Sequence, residues 1–160
     1  MTLLTETQPA IAASAESLRE AIVANPRKRA RDLADSLGVT EAALLAAEVD
    51  GQQIVRIDPA LDPLFAHFQK LGPVLALTRN DSAVHERDGT YLDYRSGPHA
   101  SMVLGPDIDL RMFPRHWVHA FAVTRGERRS VQVFDAAGDA VHKVHLRQAS
   151  DVAAFDRLVE

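Results

Sequence analysis

The sequence predicts an α+β domain: an N-terminal helical layer, one large antiparallel sheet of about eight or nine strands, and a closing C-terminal helix. Apolar residues recur at helical spacing only as far as Leu71, and again from Ser150. Between them, from Gly72 onward, short β-rich runs follow one another with turn residues and no intervening helix pattern. That texture means an antiparallel meander, because parallel strands need helix-length crossovers. With 46% apolar residues among 160, the chain can fill a real core.

Residues 1–13 are polar, Thr/Ala-rich and aperiodic, and read as a flexible tail ahead of a single domain over 14–160. Ser14 or Ser17 caps a first helix carrying Leu18, Ala21 and Ile22, which ends near Asn25-Pro26. A second helix runs from Pro26 to Leu37 with Ala30, Leu33, Ala34 and Leu37 on one stripe, and Gly38 stops it. Thr40 with Glu41 opens a third through Leu44, Leu45 and Glu48. Gln53–Ile57 reads as a strand, and Pro59–Leu71 as a helix with Leu61, Leu64, Phe65 and Phe68 inward. The strands of the sheet (72–147) are Val74–Thr78, Ala83–Arg87, Thr90–Tyr94, Ser101–Leu104, Ile108–Phe113, Trp117–Thr124, Ser130–Asp135 and Ala140–Leu146. Asp88-Gly89, Ser96-Gly-Pro98, Gly105-Pro106, Gly126 and Ala137-Gly138 supply the turns. The closing helix, 150–159, carries Val152, Phe155, Leu158 and Val159.

Composition narrows the function classes. A net charge of −4 gives no general attraction to nucleic acid or anionic membrane. The absence of cysteine excludes disulfides, thiolate metal sites and a cysteine nucleophile, and it suits a reducing compartment. No apolar run approaches the roughly 20 residues a membrane helix needs. The N-terminus lacks the basic and apolar regions of a signal peptide, so a cytoplasmic protein without membrane insertion is expected.

The helix–Gly38-Val39-Thr40–helix pattern superficially matches a helix-turn-helix. A recognition helix must offer basic or amide groups to base edges, and Glu41-Ala-Ala-Leu-Leu-Ala-Ala-Glu48 does not. The basic cluster Arg27, Lys28, Arg29 and Arg31 comes one helix too early, though it could touch phosphates. Specific nucleic-acid binding is therefore not expected. A regulatory or scaffolding domain that binds DNA or protein through this helical layer remains the rival class.

Seven histidines invite a metal site. His116-x-x-His119 and His142-x-x-His145 would share a face on a helix, but both pairs lie in strand-like runs, where i and i+3 point apart. His119 reads as half-buried and structural, and His142 and His145 as polar positions on a hairpin strand. Phosphate-binding glycine loops, nucleophile elbows and paired carboxylates are missing from the sequence. What remains is Ile108-Asp-Leu-Arg-Met-Phe113. Alternation sends Ile108, Leu110 and Met112 to a core face, and Asp109, Arg111 and Phe113 to the other. A cation beside an aromatic ring suits a flat apolar ligand with anionic groups. It equally suits an Asp109–Arg111 pair on a solvated face with Phe113 over a loop, and alternation does not choose. His85 by itself is more often structural than a ligand.

Four segments in order carry a resemblance. They are Asn25–Ala34 with Leu37–Ala42; Leu71-Gly-Pro-Val-Leu-Ala-Leu-Thr-Arg-Asn80 with Ala83-Val-His-Glu86; Ile108–Phe113 with Trp117; and Val133–Leu146. Over roughly residues 20 to 159 the chain resembles the amino-terminal half of the HemS/HmuS/ChuS family of haem-utilisation proteins. The resemblance implies a cytoplasmic haem-binding protein of bacterial iron acquisition that carries, stores or degrades haem; any enzyme activity would be haem oxygenase-like. It also implies two similar halves with haem between them. Arg111 matches the arginine over the distal haem face, Phe113 an aromatic lining residue, and His85 a position proposed as an alternative iron ligand. Arg111 stays protonated, so it would hydrogen-bond to an iron-bound group rather than donate a lone pair. The family's principal axial histidine and most propionate-binding residues belong to the second half, and this chain stops at Glu160. A missing second half, or pairing of two copies as in the single-half ChuX/HutX-type dimers, is therefore the expected partner.

Overall fold

The structure, a computed structural model, describes residues 13–160. The tail expected over 1–13 lies outside the described residues, apart from Ala13. Three helices come first: α1 (Ala15–Ala24), α2 (Ala30–Leu37) and α3 (Glu41–Glu48). Ser14 caps α1 by accepting from the Ser17 amide, Gly38 ends α2 in the left-handed region at φ 67°, and the Thr40 hydroxyl caps α3. Helix α2 starts at Ala30, later than the expected Pro26. Asn25 to Lys28 make a turn instead, with the Lys28 amide donating to the Asn25 carbonyl, and Arg29 is extended.

Then follow β1 (Ile54–Ile57), α4 (Leu61–Phe68), β2 (Val74–Arg79), β3 (Val84–Gly89), β4 (Tyr94–Arg95), β5 (Ser101–Leu104) and β6 (Asp109–Met112). A 3-10 turn, Pro114–His116, leads to β7 (His119–Arg125), β8 (Arg128–Phe134), β9 (Ala140–Leu146) and α5 (Val152–Val159). None of the described helices is long and apolar enough to cross a membrane.

The nine strands among the described residues are divided between two antiparallel sheets rather than forming the single large one expected. Six run in the order β1-β7-β8-β9-β2-β3, and three form a small sheet, β4-β5-β6. The split has local causes. Gly89 ends β3 against the Asp107 and Ile108 side chains, where a Cβ would lie 2.8 Å from that of Asp107. Tyr91 then plunges into the core with no exposed surface, and Asp93 takes a positive φ of 50°. So the run expected at Thr90–Tyr94 contributes only Tyr94 to pairing, with Arg95 beyond it.

The large sheet buries both faces. Val74, Ala76, Ala120, Ala122, Val131, Val133 and Val144 pack against Phe65, Phe68, Phe155 and Trp117, and also against Val103, Ile108 and Met112 of the small-sheet region. On the opposite face Ile54, Phe121, Val123 and Phe134 meet Ala42 and Leu45 of α3. Leu18, Leu33, Ala34, Leu44 and Ala47 form a third cluster that holds α1, α2 and α3 together.

Two contacts seat α3 on the sheet. Glu41, 9% exposed at its side chain, pairs with Lys143 of β9 at 2.5 Å. Gly138, in the β8–β9 turn at φ 90°, lies so close to Thr40 that a Cβ there would sit 2.5 Å from the hydroxyl oxygen. Gly138→Ala would both strain that turn and push it off the α3 cap. We expect it to cost about 1–3 kcal/mol, read as a lowered urea midpoint. An unchanged midpoint would show that the contact does not seat the helix.

Candidate functional site

A cleft of about 550 Å³ opens across the end of the large sheet. Its floor is the last residues of β2, Thr78 and Arg79, beside the first of β9, Ala140 to His142. One wall is helical, with Arg31 of α2 and Thr40 at the head of α3. The other is the segment from Leu110 to Phe113, continued by His116 and Trp117.

That second wall is the strand singled out by its alternation. Ile108 and Met112 are buried at 2% and 4%, while Arg111 and Phe113 are exposed. Pro114 opens the 3-10 turn, which swings His116 and Trp117 round behind them. Among the described residues Arg111 has no carboxylate partner, and one of its guanidinium nitrogens lies 4.0 Å from the Met102 sulfur. The Asp109–Arg111 pair of the solvated-face reading does not form. Arg111 and Phe113 thus stand together on the cleft. His85 does not join them: it lies opposite Thr78 on the exposed edge strand β3, outside the cleft lining.

Four residues that sequence reasoning misses line the cleft or anchor its floor. His142, expected as a polar strand position, is 3% exposed and bonded through both ring nitrogens. Its Nδ1 is 2.9 Å from Thr78 Oγ1, and its Nε2 is 2.6 Å from the hydroxyl of the second, Tyr91. The Trp117 ring lies over it, with centroids 5.6 Å apart. The signal is present in the alternation, because His142 shares a face with Val144 and Thr78 with Val74 and Ala76. Burial, and secondarily the neighbouring His145, pushes the His142 pKa down to about 4. Burial also raises that of Tyr91. The third is Arg79, whose Nε is buried without a partner. The fourth is His116, which leaves the strand pattern because the 3-10 turn intervenes; its Nε2 accepts from Arg115 at 3.0 Å.

A concave site of this volume, with an indole and a phenyl ring on its wall and unpaired arginines on its lining, has the chemistry that suits a flat, anionic small molecule. The family described as the haemin-degrading HemS.ChuX domain matches residues 38–160, and the chain belongs to that family. The hemin transport protein HmuS of Yersinia pestis is 39% identical over 140 residues, covering 84% of this chain and 40% of HmuS. Apo-PhuS, a heme-binding protein from Pseudomonas aeruginosa, superposes with a TM-score of 0.82 at 42% identity, over 90% of this chain and 43% of PhuS. The chain therefore spans less than half the length of these relatives. ChuX, at 16% identity, shares the fold alone: its TM-score is 0.76, over 89% of this chain and 96% of ChuX.

The buried histidine makes stability pH-dependent. His142 ordinarily titrates at 6.5 and in the fold at about 4, so between these values the unfolded chain binds a proton that the native state refuses. Stability is therefore fully present above about pH 6.5 and falls as pH drops towards 4, by about 3 kcal/mol. Chemical denaturation at a series of pH values should show this slope. His142→Gln should flatten it while lowering stability at neutral pH, and an equally steep slope in that variant would refute the assignment.

Proposed function

We propose that this chain is a haem-binding domain of a protein that transports or otherwise uses haem, and that it takes haem against Arg111 and Phe113 in the cleft. The observation that carries the proposal is an arginine without a counter-charge beside an exposed aromatic ring on the wall of a 550 Å³ cleft. Haem is a flat hydrophobe that needs aromatic walls, cations for its propionates and a donor for its iron. When bound it supplies an iron centre for ligand binding and redox chemistry. Phe113 offers exposed apolar surface on the wall it shares with the buried Trp117, and Arg111 offers the N–H donors of a planar guanidinium.

Among the cleft-lining histidines His142 has both nitrogens engaged, whereas His116 has one to spare. His85, on its exposed edge strand, would meet iron only through a second half or second copy docked along that edge. Completion of the site by such a partner belongs to the same proposal. The 46% exposure of Phe113 and the 50% exposure of Val84 support it. A cytoplasmic setting suits the cysteine-free sequence. The rival reading through the helical layer has less support: Ala42, Leu44, Leu45 and Ala47 are buried, and Arg31 is held by Asp81 at 2.6 Å.

Haemin titration followed by the Soret band is the test. A saturable shift is expected, and Arg111→Ala should displace the band or weaken binding about tenfold. Absence of a saturable shift in the wild type would sink the proposal, and an unchanged titration would remove Arg111 from the site. Adding reductant and air to the complex then separates the roles, because bleaching marks degradation and a stable band marks carriage.

A further inference from the structure

The hydrogen-bond chain that begins at Tyr91 has a direction, and it ends in the cleft. The Tyr91 hydroxyl is fully buried and has no acceptor among the described residues other than His142 Nε2. An O–H left without an acceptor in the core is costly, so the phenol donates to Nε2. Burial keeps His142 neutral, which places its proton on Nδ1, facing Thr78 Oγ1 at 2.9 Å. The tautomer assigned from this network makes Thr78 the acceptor. The Thr78 hydroxyl hydrogen is then uncommitted within the protein, and Thr78 lines the cleft. The opposite polarity would strand the phenol hydrogen in the core.

The next residue, Arg79, also lines the cleft. Its Nε is buried without a partner, and it forms no ion pair among the described residues. Of the five carboxylates that line the cleft, none pairs with Arg79: Asp81 and Asp35 lie 2.6 and 4.0 Å from Arg31, Glu41 pairs with Lys143 at 2.5 Å, Asp135 accepts from the amides of Ala137 and Asp139 at 2.9 and 3.0 Å, and Asp139 is exposed to solvent. Thr78 and Arg79 alternate on β2, so the hydroxyl and the guanidinium reach the cleft from opposite faces at the end of the strand, and a part-buried cation without a counter-charge and a hydroxyl with a hydrogen to give are two separate holds for an anionic ligand.

We propose that Thr78 and Arg79 are the carboxylate-binding groups of the cleft floor, each reaching it from its own face of β2, with His142 and Tyr91 as positioning residues that commit the Thr78 hydroxyl hydrogen to the ligand. The identity of the ligand rests on the haem reading, in which the carboxylate is a propionate; the subsite itself is defined by the carboxylate.

Trp117 is the single tryptophan and lines the cleft, so its fluorescence reports occupancy without iron. The experiment titrates the protein with iron-free protoporphyrin IX and with its dimethyl ester. The free acid is expected to bind more tightly. Thr78→Val and Arg79→Gln should each weaken the free acid about tenfold and leave the ester unchanged. Thr78→Ser should retain wild-type affinity. Tyr91→Phe, verified as folded by circular dichroism, should weaken the free acid by less than Thr78→Val and leave the ester unchanged, because the phenol no longer fixes the His142 tautomer. Equal affinity for acid and ester in the wild type would overturn the proposal, as would equal losses for both ligands in Thr78→Val and Arg79→Gln. If haemin gives no Soret shift while the acid still quenches selectively, the haem reading fails and the subsite stands. If haemin binds but acid and ester quench equally, the subsite fails and the haem reading stands. No quenching by either porphyrin overturns the subsite, while the haem reading stands or falls with the Soret titration.

Discussion

His142 can stay in the core only as a neutral ring with both nitrogens satisfied, and that requirement ties together three parts of the chain. The ring belongs to β9, one partner is Thr78 on β2, and the other is Tyr91 on the segment leading to the small sheet. An unpaired ring nitrogen at that depth would cost about 1–3 kcal/mol, comparable with burying a whole aliphatic side chain. The two sheets are thus held in one relative position at the place where the cleft opens. Trp117 closes the arrangement by packing on the same ring.

The helical wall of the cleft depends on different physics. Lys143–Glu41 is largely shielded from water, so removing one partner would leave a buried charge, a loss of about 3–5 kcal/mol. The exposed pairs, such as Arg125–Glu48 and Arg147–Asp88, are worth about 0–1 kcal/mol each and do not decide the architecture. Gly138 lets the β8–β9 turn approach Thr40 as closely as it does. What results is a cleft whose arginines are unequal: Arg31 is tethered to Asp81, whereas Arg79 and Arg111 keep their donors for something else.

Much of the fold is legible without coordinates. The Ser14, Gly38 and Thr40 caps, the inward faces of α4 and α5, and the limits of β5 and β9 all follow from local chemistry. So does the placing of Arg111 and Phe113 on one face, and the four-segment resemblance supplies the family. The differences between expectation and structure share a cause. Splitting nine strands into two sheets depends on where Tyr91 finds its partner, which lies 51 residues away. Nor does pattern tell that the turn after Pro114 takes His116 out of β7 and carries it to the cleft.

By itself the sequence determined most of the helices and strands, and which face of each such strand is apolar, because caps, turn residues and periodicity act within a few positions. It determined that Arg111 and Phe113 point the same way. Only the tertiary structure decided that Arg111 lacks a partner, that His142 is neutral and buried, that Arg79 carries an orphan donor, and that His85 stands apart from the cleft. These are properties of burial and pairing between distant segments. A polar side chain's role depends on what surrounds it in space, and spacing along the chain does not carry that information.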